Sequence, residues 1–234
     1  MWHNFNGSTL KCVMTHEAVL ASTPFFASAP QDVVARVAEA ANTRDLVRGD
    51  VLFHEGDEAD ALYVVLKGRI AIAIENKPID SRESVVALMD TGDLFGDMGL
   101  LDTGFRSANA RALEPTTVLE VPYPPIRAAL KESPELLWGV TTLLVQRLRA
   151  MDEALADSVF LDVTGRTAKR LLELSEGKDE FNLPITQEEL AGMVGASRER
   201  VNKAIASFIK LGWLTQSDRR YSITQRAKLE ARAR

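Results

Sequence analysis

Between Pro30 and Ala41 the apolar residues Val33, Val34, Val37 and Ala41 recur at three- and four-residue spacing, which predicts a short amphipathic helix. The texture changes at Val47. As far as Pro122, short β-rich runs such as Val51–Phe53, Leu62–Leu66, Ile70–Ile72, Ser84–Met89, Arg111–Leu113 and Thr117–Val121 alternate with glycine and acidic turns. That rhythm predicts a closed or double-sheet β architecture, with Pro122, Pro124 and Pro125 ending the strands. A helical stretch follows from Pro134 to about Phe160. Its seam is Leu137, Leu144, Leu148, Met151, Leu155 and Val159. Such a helix is roughly 40 Å long. A lone β domain cannot cover that seam, so it reads as a dimer interface; packing lengthwise on its own roll is the other arrangement. The tail reads as helix (164–176), turn, helix (187–194), turn, helix (198–211) and a polar hairpin around Ser217–Arg220.

The domain plan is therefore a leader without order at 1–15, a β-roll at 16–133, a dimerisation helix at 134–161 and a C-terminal domain at 162–234. The fold class is α+β. Met14 is a candidate natural start, since organised sequence begins just after it. At 234 residues and 46% apolar, the chain can bury two cores. No apolar run reaches the ~20 residues a membrane span needs, and no secretory signal pattern is present. The expected location is the cytoplasm, without membrane contact. Cys12 is the single cysteine, which excludes an intrachain disulfide and a four-thiolate iron–sulfur cluster. His3, His16 and His54 are isolated, so neither a metal site nor a haem ligand is expected.

Charge divides the chain. Residues 1–162 hold 14 Lys+Arg against 24 Asp+Glu, a balance of −10, and residues 163–234 hold 14 against 9, a balance of +5, together the overall −5. An acidic body with a basic tail domain fits a sensor joined to a nucleic-acid binder; an uneven solvated surface gives the same numbers. The tail's motif is more telling. Thr186 and Glu189 form a capping box, and Gly195 suits the sharp turn of a helix-turn-helix. On the helix opened by Ser197, Val201, Ala204, Ile205 and Phe208 share one face. Arg198, Glu199, Asn202 and Lys203 share the other, with Arg200 between them and suited to a phosphate. The polar face carries donors and acceptors that read base edges in a major groove; an ordinary solvated face has the same composition. No catalytic pair, metal-ligand spacing or phosphate loop is present, so an enzyme is not expected.

Four stretches resemble the catabolite activator and fumarate–nitrate regulator superfamily over roughly residues 20–230. They are Gly49–Phe53 with Glu55-Gly56-Asp57 and Leu62–Val65, then Gly68; Gly92–Asp97 with Arg106-Ser107-Ala108; Phe160–Arg166; and Val194–Glu199. The resemblance implies a cyclic-nucleotide-binding type of antiparallel β-roll, a central dimer helix and a winged helix-turn-helix. It makes the second stretch a phosphate cassette. Gly96 allows close approach, Asp97 accepts from a ribose hydroxyl with Met98 beside it, Arg106 offers a fork to the phosphate, and Ser107 adds a hydroxyl. Apart from the resemblance, Arg106 also reads as a surface arginine paired with Asp102 or Glu114. The family's adenine-facing Thr-Ser or Thr-Asn pair is here Met151-Asp152, and its usual glutamate is Asp97. Cyclic AMP is the implied effector; a different nucleotide or none, or a module acting through protein partners, stays open. On the DNA side, Thr186 matches a phosphate contact, and Ser197, Arg198 and Glu199 match the reading residues. Lys203 stands where the founding member has arginine. The implied partners are a second copy, a palindromic duplex with TGTGA-like half-sites, and RNA polymerase.

Overall fold

The structure is a computed structural model that describes residues 15–75, 83–102, 104–218 and 220–234. The expectations for residues 1–14, Met14, Cys12 and His3 included, lie outside the described residues. Thr15, assigned above to the leader, already caps a helix, accepting from the Ala18 amide at 3.2 Å.

Helices α1 (His16–Ala21) and α2 (Gln31–Glu39) precede strands β1 (Asn42–Leu46), β2 (Val51–Phe53), β3 (Ala61–Lys67), β4 (Ile70–Glu75), β5 (Glu83–Met89) and β6 (Leu94–Phe95). The short helix α3 (Met98–Leu101), strands β7 (Asn109–Ala112) and β8 (Thr116–Pro122) and helix α4 (Tyr123–Glu132) complete the roll. Its strands form two four-stranded antiparallel sheets, ordered β1-β8-β3-β6 and β2-β7-β4-β5. Alternate residues of β7 are buried, as the two-residue side-chain period requires, whereas β8 is buried on both faces at Val118 and Leu119. Tyr63, Val65, Ile70, Phe95, Ala110 and Val118 fill the space between the sheets. On the other face of β3 and β8, Leu62, Val64 and Leu119 pack with Leu20, Phe25, Val37 and Ile126 of the helical segments.

Two elements depart from the expectation. The prolines taken only as strand breakers also open α4, because a missing amide and a fixed φ cost nothing in a first helical turn. Strand β1 is polar at four of its five positions and carried no alternation to read; pairing with β8 along its whole length makes it a strand.

Helix α5 (Pro134–Phe160) is 27 residues long and begins at Ser133, whose hydroxyl accepts from the Leu136 amide at 3.3 Å. Only its first turns are buried, through Leu136, Gly139 and Val140. The seam is bare: Leu148 is 58% exposed, Met151 69%, Leu155 65% and Val159 66%. The roll of the same chain therefore does not cover it.

After α5, Asp162 caps α6 (Val163–Leu174) by accepting from the Gly165 amide at 2.8 Å, and Arg232 pairs with the same carboxylate. Strand β9 (Glu180–Asn182), helices α7 (Gln187–Val194) and α8 (Arg198–Lys210), strands β10 (Leu214–Ser217) and β11 (Arg220–Ile223) and helix α9 (Arg226–Arg232) complete a winged helix with sheet order β10-β11-β9. The capping box is formed, with Thr186 accepting from the Glu189 amide at 3.1 Å and Glu189 from the Thr186 amide at 2.6 Å. Gly195 ends α7 in the left-handed region, at φ 66° and ψ 45°, which makes the sharp turn into α8.

Candidate effector cavity and nucleic-acid interface

A cavity of about 520 Å³, within the range of small-molecule sites, opens between the roll and α5. Gly96, Asp97, Met98, Arg106, Ser107 and Met151 line it, so the structure brings together six of the seven residues expected to hold an effector. Asp152 is exposed and lies outside the lining.

The side chains are arranged differently from a simple presented fork. Arg106 is 5% exposed and turned inward. Its Nη1 donates to the carbonyls of Ala61 (2.8 Å) and Gly96 (3.1 Å) and to the Tyr123 hydroxyl (3.2 Å), and its guanidinium lies over the Phe53 ring, 4.2 Å from the centroid. Its acidic neighbour is Asp60 at 3.4 Å, rather than Asp102 or Glu114, and the Asp60 side chain is 82% exposed. Nε has no hydrogen-bond partner among the described residues. One side of the guanidinium is thus anchored, while the Nε–Nη2 edge holds only a long contact to a solvated carboxylate. A buried cation so poorly compensated favours an anion at that edge. Gly96 permits the packing: its φ is +78°, and a Cβ there would stand 2.9 Å from Arg106 Nη1. Burial, reinforced by Glu120, pushes the Tyr63 phenol up to about 12, and burial likewise raises Tyr123. Both rings stay neutral and leave the arginine's charge uncancelled.

Asp97 is 1% exposed, and both of its oxygens accept from Arg147 Nη1 of α5, at 2.9 and 3.0 Å. Arg147 also donates to the Leu94 carbonyl at 3.2 Å. This pair ties the cassette to the long helix. Sequence reasoning missed Arg147, although it lies one helical turn before Met151 and so shares its face. It missed Tyr123 and Asp60 as well. Ser107 is exposed and donates to Met98 Sδ at 3.3 Å. Toward the other end, Ile72, Val86, Met89 and Met151 make the wall apolar.

In the winged helix, Ser197 caps α8, and Arg198, Glu199, Arg200 and Lys203 are exposed, as is Thr186 at the start of α7. Val201, Ala204, Ile205 and Phe208 are buried on the opposite face. Glu199 and Lys203 pair at 2.7 Å, and that bond holds the Glu199 carboxyl below its usual range. Asn202 departs from the expected fully exposed face: it is half-buried, and its Oδ1 has no hydrogen-bond partner among the described residues. His54 is exposed, with Asp57 beside it at 3.7 Å.

A cavity beside a β-roll, joined by a long helix to a helix-turn-helix with an open polar face, is the plan of a DNA-binding transcription regulator. Comparison with known proteins agrees. Residues 43–133 match the cyclic nucleotide-binding domain, and residues 165–232 match the Crp-like helix-turn-helix domain. The chain is 32% identical over 225 residues to the CRP-like cAMP-activated global transcriptional regulator of Mycobacterium tuberculosis, covering 93% of this chain and all of that one. It is 33% identical over 161 residues to the cAMP-activated global transcriptional regulator CRP of Escherichia coli, covering 66% and 76% respectively. Among solved structures, the catabolite activator protein of Thermus thermophilus is 30% identical with a TM-score of 0.52, covering 90% of this chain and 98% of that one. FixK2 of Bradyrhizobium japonicum shares the fold at a TM-score of 0.72 and 19% identity, over 82% and 96%. The chain belongs to the CRP/FNR family of transcription regulators, which are not enzymes. No helix among the described residues is long and apolar enough to cross a membrane.

Proposed function

We propose that two copies pair along α5, that a cyclic nucleotide, cyclic AMP first, occupies the cavity at Arg106, and that the paired α8 helices read a palindromic TGTGA-like duplex. The observation that carries the effector assignment is the incompletely compensated Arg106: among the described residues, Nε is unpartnered and Nη2 faces only Asp60 at 3.4 Å. A singly charged phosphate diester supplies what that edge lacks. Asp97, fixed by Arg147, keeps lone pairs for a ribose hydroxyl, so ligand at the cassette is coupled through Arg147 to α5. The cAMP-activated relatives support the same nucleotide.

A second reading concerns the base. Met151 offers no useful hydrogen bond, and Asp152 stands outside the cavity lining. This end favours stacking and apolar contact over reading a purine's edge, which supports a nucleotide other than cyclic AMP equally well.

Two α8 helices related by a two-fold axis would meet successive major grooves about 34 Å apart. Arg198 and Glu199 would take base edges, while Thr186 and Arg200 would meet phosphates and Ser197, Asn202 and Lys203 would complete the contact. Effector acts by favouring the arrangement that fits the duplex, to the extent that it binds that arrangement better. Such a protein works in the cytoplasm beside RNA polymerase. Calorimetric titration with cyclic AMP and cyclic GMP, followed by fluorescence anisotropy on a TGTGA palindrome with each, tests the reading. Tight binding of one nucleotide with a matching gain in duplex affinity supports it. Absence of binding by both overturns the cyclic-nucleotide assignment.

A further inference from the structure

The apolar stretch at Met151 is not where the effector cavity stops. Its lining continues along one face of α5, from Arg147 through Ala150 and Ala154 to Asp157, positions three and four apart. At about 1.5 Å per residue, Asp157 lies roughly 15 Å along the axis from Arg147. Arg147 marks the cassette end through its bonds to Asp97. The far end is closed by α6 of the winged helix, whose Lys169, Arg170 and Glu173 also line the cavity. Packing brings α6 there. Val85 of β5 is buried in one apolar cluster with Leu171 of α6 and Leu190 of α7, and a Cβ on Gly192 would stand 3.3 Å from Ser84 Cα.

The far end holds a half-buried carboxylate. Asp157 Oδ2 stands 2.5 Å from Lys169 Nζ, with side chains 18% and 30% exposed. Arg170 is bound to Glu173 of its own helix at 2.6 Å. With Glu153, this end has three carboxylates against two cations, so it does not invite a second phosphate. What it offers is acceptors. Lys169 meets one of the two Asp157 oxygens, and a carboxylate has lone pairs for more than one donor. We propose that Asp157 reads the effector's base, accepting from the exocyclic amino group of a purine whose phosphate sits at Arg106. Adenine carries such a group at N6 and guanine at N2. The inference rests on the cyclic-nucleotide reading and gives it the base-recognising side chain that Met151 and the exposed Asp152 do not supply. The bond is charge-assisted, and its half-buried setting strengthens it. An effector so held touches the roll, the long helix and the winged helix at once.

The test measures calorimetric Kd values for wild type, Asp157→Ala and Lys169→Met. One ligand pair is cyclic AMP and cyclic purine riboside monophosphate, which is cyclic AMP without its amino group. The other is cyclic GMP and its amino-free counterpart, cyclic IMP. Both variants break the tie between α5 and α6, but only Asp157→Ala removes the acceptor, and alanine keeps α5 helical. Wild type should bind the amino-bearing member of one pair roughly tenfold more tightly, the scale of one charge-assisted hydrogen bond. Asp157→Ala should bind both members with nearly equal affinity, and Lys169→Met should keep the preference. A preference that survives Asp157→Ala, is missing in wild type or vanishes equally in both variants overturns base reading by Asp157 and leaves the nucleotide reading standing. So does loss of all binding in Asp157→Ala alone. A wild type that binds none of these nucleotides overturns both.

Discussion

Replacing Leu148 and Leu155 by alanine is expected to convert a dimer into single chains at working concentration. In one copy these side chains are 58% and 65% exposed, so most of each is available for burial against a second copy. Trimming a fully buried leucine to alanine removes three carbons, about 2 kcal/mol of transfer free energy. Scaled by those exposures, the loss is about 1.2 and 1.3 kcal/mol per copy, or about 5 kcal/mol over both copies of a two-fold pair. That is three to four orders of magnitude in the dimer Kd, about 1.4 kcal/mol per decade. Sedimentation equilibrium of wild type and double variant over a hundredfold concentration range reads it directly. A wild type that sediments as a single chain, with and without duplex, refutes the pairing. A double variant that dimerises as tightly as wild type refutes the assignment of the seam.

Arg106→Leu should abolish calorimetric nucleotide binding while sedimentation still finds a folded dimer; unchanged affinity would show that the anion binds elsewhere. Arg198→Ala should cost about 1–3 kcal/mol of discrimination between cognate and scrambled duplexes in competition anisotropy, with little change on the scrambled one. Asp162→Ala removes the α6 cap and should destabilise the winged helix by about 1 kcal/mol in chemical denaturation. The Gly165 amide, helped by Arg232, holds the Asp162 carboxyl below its usual value. Its stabilisation is therefore present above the unfolded-state value and is lost as pH falls through the folded one. Wild type should lose this increment in the acid range and the variant should not, so identical acid titrations of stability would contradict the cap's role.

What the chain announces in advance is local. The box of Thr186 and Glu189 and the turn at Gly195 each involve groups a few residues apart, so their chemistry is legible in order of sequence. The bare seam of α5 is legible for the same reason, since a helical period alone places it. What sequence spacing conceals is where a functional side chain sends its other bonds. Arg106 is recognisable as an arginine for an anion, but its bonds to Ala61 and Tyr123 depend on how β3, α3 and α4 meet. Arg147 is separated from Asp97 by 50 positions and finds it only because α5 runs back across the roll. Asn202 shows the same limit on a helix face: angular position puts it among the reading residues, yet packing half-buries it.

Among the described residues, strand β5 is the outermost strand of its sheet and has β4 as its one strand neighbour. Helix α7 lies against that border through Gly192. Were α7 to move away from β5, the strand's outer main-chain groups would stand in the open beside a bared Val85, a template onto which foreign strands can add. Colloidal behaviour then becomes a reporter of posture: turbidity and thioflavin uptake should climb in preparations where α7 spends time detached, and fall again once α7 returns to the roll.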